Sequence, residues 1–217
     1  MSTEPNHKKE SQIERIILFT DAVFAIAITL LVIEIKAPHA EDRLDYTLLQ
    51  SLLEMIPKFI GFFISFLLIG QYWVTHHKLF GYVENFDNKL LWLNLFFLLT
   101  IVTMPFSSAL YSENVTVNLA FVIYCLNVIL SGIFNLLLWR YIGSSNKNLT
   151  SKLKNKRLLN YFTYRATIVP IIFLLAIPLS FVSPFLAKFT PIIIFPMMKI
   201  GNRFYKDVVG KLRETAN

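Results

Sequence analysis

Apolar runs of about twenty residues, separated by short polar stretches, recur along the whole chain. They predict six membrane-spanning helices at roughly residues 16–36, 55–75, 89–111, 116–140, 158–178 and 184–201. A bilayer interior offers no water to free backbone groups, so runs of this length must close their hydrogen bonds internally, as helices. The edges carry matching signals: Pro57 suits a first helical turn, Asp87 or Asn88 can cap the third helix, and Ser183 with Pro184 caps and starts the sixth. Pro105, Pro170, Pro191 and Pro196 fall inside spans and predict kinks unless neighbours satisfy the freed carbonyls. The fold class expected is an all-α integral membrane protein.

Composition agrees with the pattern. Of 217 residues, 55% are hydrophobic and 16% charged, against about 25% charged in soluble domains. The net charge of +7 does not point to nucleic acid, because the basic residues flank apolar spans and no soluble domain is left to read a groove. They describe a topology instead. Lys8, Lys9 and Arg15, then Lys78 and Lys89, then the loop "RYIGSSNKNLTSKLKNKR", then Lys199, Arg203, Lys206, Lys211 and Arg213 all fall on one side of a six-span chain. The opposite connections are acidic or free of basic residues. Both termini are therefore expected in the cytoplasm, with residues 1–14 as an N-terminal segment and 202–217 as a tail on a single unit, 1–217. No cleavable leader is expected. Trp73, Trp92, Trp139 and Tyr141 fall near cytoplasmic span ends, where an aromatic belt would sit. Cys125, alone in an apolar run, reads as a packed side chain.

The first run, "RIILFTDAVFAIAITLLVIEIK" at residues 15–36, sets an aspartate into apolar surroundings. At about 100° per residue, Ile26, Thr29, Leu30 and Ile33 share one stripe, which Phe19 and Ala22 extend. Asp21 points about 140° away from it. An acid within a span faces protein or water and finds a partner; His76, His77, Asn94 or an arginine are the candidates. Arg15 is badly placed for a pair within the helix. Thr29 can either face a pore or bond back to a carbonyl one turn earlier.

These residues resemble the first-helix signature of the transmembrane protein 175 family of potassium channels: Arg, three residues, Phe-Ser-Asp, then an apolar run ending near Leu-Glu-Ile-Lys. "SFLLIGQYWVTHHKLF" in the second helix and "LWLNLFFLLTIVTMPFSSAL" in the third agree as well. The motif serine is Thr20 here, which keeps the hydroxyl and adds a methyl. The resemblance implies a homotetramer in membrane lipid, with a potassium pore lined by the first helix and no cofactor. It implies a bracing network of Arg15, Phe19, Thr20 and Asp21 with Trp73, His77 and Asn94. It places Ile26, Leu30 and Ile33 as pore and gate positions and Thr29 at the selectivity position.

No carbonyl-ring filter sequence occurs, so rings of Ile and Leu that gate by dewetting are expected, with Ile26 the narrowest. The rival reading is a proton-coupled transporter using Asp21 and His77, against which stands the lack of an inverted repeat. A membrane enzyme is disfavoured: His76 and His77 project about 100° apart, the remaining histidines, His7 and His39, fall on opposite sides, and no nucleophile or metal motif is present. Asn118, Asn127 and Asn135 can bond across helices, with packing as their default role, and Arg165 and Lys188 are expected to reach toward an interface.

Overall fold

The computed structural model of the chain describes residues 4–37, 45–144, 149–151 and 155–214. Regular structure among these residues is entirely helical: α1 (Glu4–Ile33), α2 (Asp45–Glu54), α3 (Ile56–Phe80), α4 (Asn88–Val102), α5 (Met104–Glu113), α6 (Asn118–Ile142), α7 (Lys156–Val182), α8 (Pro184–Phe189), α9 (Ile194–Phe204) and α10 (Lys206–Glu214). Six stretches are long and apolar enough to cross a bilayer: Ser11–Ile33, Ile56–Phe80, Asn88–Glu113, Asn118–Ile142, Lys156–Val182 and Pro184–Phe204. The six expected spans are thus present, with their edges moved by a few residues.

Local chemistry explains the boundaries. The Asp87 carboxylate accepts from the Leu90 amide at 2.8 Å and caps α4, while Ser183 caps α8 and Pro184 opens it. The third span breaks at Thr103 because Pro105 has no N–H to offer the Ile101 carbonyl. Neighbours hold the break: Asn127 of α6 donates to Thr103 Oγ1 at 3.2 Å and to Ser107 Oγ at 2.9 Å. The sixth span is segmented by a 3-10 turn, Thr190–Ile193, that contains Pro191. α7, in contrast, runs through Pro170 and Pro178 without a break.

Both expected tails carry helix over their described residues. α1 has 30 residues, about 45 Å, so it reaches well back into the polar N-terminal segment. Beyond α9, α10 returns to α7, where Arg157 Nε meets Asp207 Oδ2 at 2.7 Å.

α1 packs across α3, α4 and α5; α6 joins that group to α7, and α7 carries α8 to α10. The α6–α7 pair is the most extensive contact of the bundle. It depends on Gly132, where an added Cβ would lie 2.7 Å from the Pro170 ring. Trp139 keeps its expected place at the end of a span but turns inward rather than to an interface. Its ring is fully buried and stacks on Phe162 of α7 at 4.2 Å, whereas Trp73 and Trp92 remain exposed.

Candidate functional site on the first helix

α1 turns its two sides to different surroundings. Thr20, Phe24, Ala27 and Leu31, spaced at i, i+4, i+7 and i+11, are all buried. Ala27 is small enough to let a neighbouring helix approach, as interfaces inside membranes require.

The polar contacts of this covered side form a clasp. Asn94 of α4 donates from Nδ2 to Thr20 Oγ1 at 2.9 Å, and its Oδ1 meets His76 Nε2 of α3 at 2.7 Å. An amide oxygen only accepts, so this arrangement puts a proton on His76 Nε2. The His76 ring lies among aromatics: it stacks on Phe80 at 4.2 Å and runs parallel to Phe97 at 5.5 Å, and Phe24 packs beside His76 and Phe97. One residue on, half-buried Asp21 accepts from Trp73 Nε1 of α3 at 2.8 Å, the charge-assisted bond that a carboxylate in this position needs. α1 is thereby tied to α3 and α4 by two adjacent bonds.

Of the residues the resemblance assigned to this network, Thr20, Asp21, Trp73 and Asn94 come together. His77 stands one position off: its ring lies 5.7 Å from Trp73 on an exposed side of α3, and His76 makes the bond to Asn94. Phe19 points outward at 53% exposure. Arg15 has no carboxylate partner among the described residues; it lines, with Gln12, Phe19 and Asn94, a cavity of about 420 Å³ between α1 and α4. Phe24 was not singled out in the sequence, although its place in the Thr20, Ala27 and Leu31 spacing marks it.

The uncovered side holds Ile26, Leu30 and Ile33 at 57%, 38% and 66% exposure, with Thr29 among them. The Thr29 hydroxyl donates to the Ile26 carbonyl at 2.8 Å. This is the bond back to its own helix that the sequence left open, made by a side chain that is exposed in the protomer.

Elsewhere the polar residues serve packing. Ser65 Oγ donates to Ser108 Oγ at 2.7 Å and meets Tyr124 Oη at 3.1 Å, joining α3, α5 and α6. Of the three asparagines of α6, Asn127 bonds across to α5 as described, and Asn135 Oδ1 has no partner among the described residues. Lys188 donates to the Val115 carbonyl at 3.1 Å. Cys125 is buried. Among the described residues no group of three or more His, Cys, Asp or Glu side chains could hold a metal ion; His39, the side chain of His7 and much of the basic loop after residue 144 lie outside them.

Six apolar spans, with the first clasped to the second and third, define a multi-pass helical membrane protein. The sequence pattern of the family described as "Endosomal/lysosomal potassium channel TMEM175" matches residues 15–105. A potassium channel of Chamaesiphon minutus is 32% identical over 82% of this chain and 89% of its own length. The crystal structure of a lysosomal potassium-selective channel TMEM175 homolog from that organism superposes with a TM-score of 0.76 at 29% identity, covering 88% of this chain and 99% of the other. The Gallus gallus endosomal/lysosomal proton channel TMEM175 is 35% identical over 46% of this chain and 21% of its own. The chain belongs to the TMEM175 potassium-channel family and is a channel protein, not an enzyme.

Proposed function

We propose that the chain, acting as one unit over residues 1–217, forms a potassium-selective channel as a homotetramer, with α1 of each protomer lining a central pore. The observation that carries this reading is the uncovered stripe of Ile26, Thr29, Leu30 and Ile33 on a helix whose opposite side is clasped into the bundle. Closed cyclic symmetry would turn the stripe into rings. Rings of Ile26, Leu30 and Ile33 make hydrophobic constrictions that close by losing water, with Ile26 the narrowest. Widening them requires α1 to tilt or rotate, and the clasp at Thr20 and Asp21 supports that movement.

Selectivity rests on Thr29. A cation crossing an all-hydrocarbon ring would shed water and gain nothing for it. Thr29 brings a hydroxyl to the stripe with its proton directed to its own backbone, so that the atoms left for a passing ion are oxygen lone pairs. Four such oxygens give a foothold for a hydrated or partly hydrated potassium ion. The names borne by the bacterial relative and the solved homolog support potassium as the permeant ion.

Orientation follows from the charges at the span ends. Lys78, Lys89, Arg140, Lys156, Arg157 and Arg203 belong to one end of the alternating bundle, which we assign to the cytoplasm together with both termini.

A second reading, proton conduction or proton-coupled transport involving Asp21 and His77, is favoured by the name of the vertebrate relative. Purified protein in a planar bilayer, with potassium on one side and sodium on the other, tests both. A reversal potential shifted toward potassium, with current persisting in the absence of a proton gradient, is expected. Flux only under a proton gradient would replace the first reading with the second.

A further inference from the structure

At the basic end of the bundle, a cavity of about 290 Å³ opens between α3, α7 and α10. The side chains of Gln71, Thr75, Lys78, Tyr82, Tyr161 and Arg165 line it, and among the described residues no acidic side chain does. Its volume lies near the lower limit for small-molecule sites, a size suited to a headgroup rather than to a large organic ligand.

Neither cation here has a carboxylate partner among the described residues, in contrast to two others in the protein. Lys58 pairs with Glu113 at 3.3 Å, and Arg157 with Asp207 at 2.7 Å. Arg165 instead donates to neutral oxygens, Tyr161 Oη at 2.9 Å and Asn202 Oδ1 at 3.5 Å, which aim its guanidinium without neutralising it. Lys78 has no carboxylate partner among the described residues. Two cationic side chains facing one concavity repel each other when it is empty, and an anion between them removes that repulsion. Lysine serves such a ligand as a point charge, and arginine as a planar fork that matches phosphate oxygens. The Tyr82 phenol adds a neutral hydroxyl to the lining.

We propose that this cavity binds a phosphate group, that of an anionic lipid in the adjoining leaflet. The span ends supply the location: Lys78 lies in the last turn of α3, where a headgroup at the membrane surface comes within reach. Occupancy joins the end of α3 to α7. Because α3 also carries Trp73 and His76, the site lies on the element that clasps α1.

The test is thermal unfolding of the full-length protein in detergent, titrated with short-chain phosphatidylglycerol and, separately, with inorganic phosphate. A ligand of the folded state raises the unfolding temperature. Phosphatidylglycerol is expected to do so, with apparent affinity falling roughly fivefold or more in Lys78→Glu, from about 1 kcal/mol per basic side chain at an anionic membrane surface. Lys156→Glu, an exposed basic position of α7 outside the cavity, is expected to behave as the parent. Lys78→Ala provides a milder variant, and Lys78 is exposed, so neither change leaves a hole in the core. If inorganic phosphate stabilises with the same dependence on Lys78 and phosphatidylglycerol does not, the phosphate site stands and its ligand is soluble. No shift with either ligand, or equal loss in the Lys78 and Lys156 variants, overturns the proposal.

Discussion

On one side of α1, Thr20, Phe24, Ala27 and Leu31 are almost wholly covered by other helices of the protomer; on the other, Ile26, Thr29, Leu30 and Ile33 are largely uncovered. In a soluble protein such a contrast is written as polar against apolar. Here both sides are rich in Ile, Leu, Ala and Phe, because lipid is as apolar as leucine and imposes no polar surface. The difference lies in where the polar atoms go. Thr20 and Asp21 spend theirs on other helices, through Asn94 and Trp73, whereas Thr29 turns its proton to its own backbone. A helix clasped through one face and open on the other can be held by the bundle while its free face is given to a pore.

The largest expected effects test that division through a pair of truncations. Phe24 is 1% exposed and contacts the rings of His76 and Phe97, so Phe24→Ala should leave a cavity and destabilise the fold by about 3 kcal/mol. Ile26→Ala, two positions away on the open side, should change protomer stability by less than about 0.5 kcal/mol. On the proposed reading its effect belongs to the channel: flux in the closed state should increase, because the ring proposed as the narrowest is widened. Thermal unfolding in detergent and liposome flux measured on both variants decide the matter. Equal stability losses would erase the contrast between the faces.

Asn94→Ala comes next. It leaves the His76 Nε2–H and the Thr20 hydroxyl buried without their shared partner, at about 2 kcal/mol in total. Thr20→Ser keeps the hydroxyl and should cost less than half as much. A fall in unfolding temperature confined to Asn94→Ala is the expected outcome; similar falls in both would assign the role of Thr20 to its methyl group rather than to the clasp.

How much of this could be read from the chain differs between levels. Span length and hydropathy locate the six helices; of the four prolines expected to kink spans, Pro105 and Pro191 mark the two segmented ones, whereas Pro170 and Pro196 lie inside unbroken helices. Helix rotation is harder. His76 and His77 are neighbours about 100° apart on α3, and nearly every face of that helix is apolar, so no amphipathic phase shows which one turns inward. The structure selects His76 through its place beside Phe24 of α1 and Phe97 of α4, which are carried on other helices, with Phe80 one turn along α3 stacked on the same ring. Trp139 fails as an interfacial residue for the same reason: its position near a span end was legible, and the partner ring of Phe162 on α7 was not. The Ile26, Thr29, Leu30 and Ile33 stripe was legible because its spacing lies within one helix.

A smaller effect is expected at Thr29. Thr29→Ala should leave the clasp and conduction intact and reduce potassium preference over sodium by roughly tenfold or less, the scale of one hydroxyl interaction of about 1 kcal/mol. Reversal potentials under mixed-ion conditions measure it. Unchanged selectivity would leave the open face with a gate and no selectivity element, and the resemblance-based role of Thr29 would have to be withdrawn.

The smallest effect concerns α10, held to α7 by a contact as exposed as the open side of α1. The Arg157 guanidinium holds the Asp207 carboxyl below its ordinary value. A carboxyl with a depressed folded-state pKa contributes stability above its unfolded pKa, about 3.9, and loses it as pH falls through the lower folded value. Acidification below about pH 4 should therefore loosen α10, and high salt should weaken the same contact at neutral pH by screening it. Amide exchange along α10 reports both changes, with Asp207→Asn as the reference in which neither acid nor salt has a contact left to release. Continued protection at low pH would mean that the packing of Val208 and Val209, which join the apolar core, holds this helix without the ion pair.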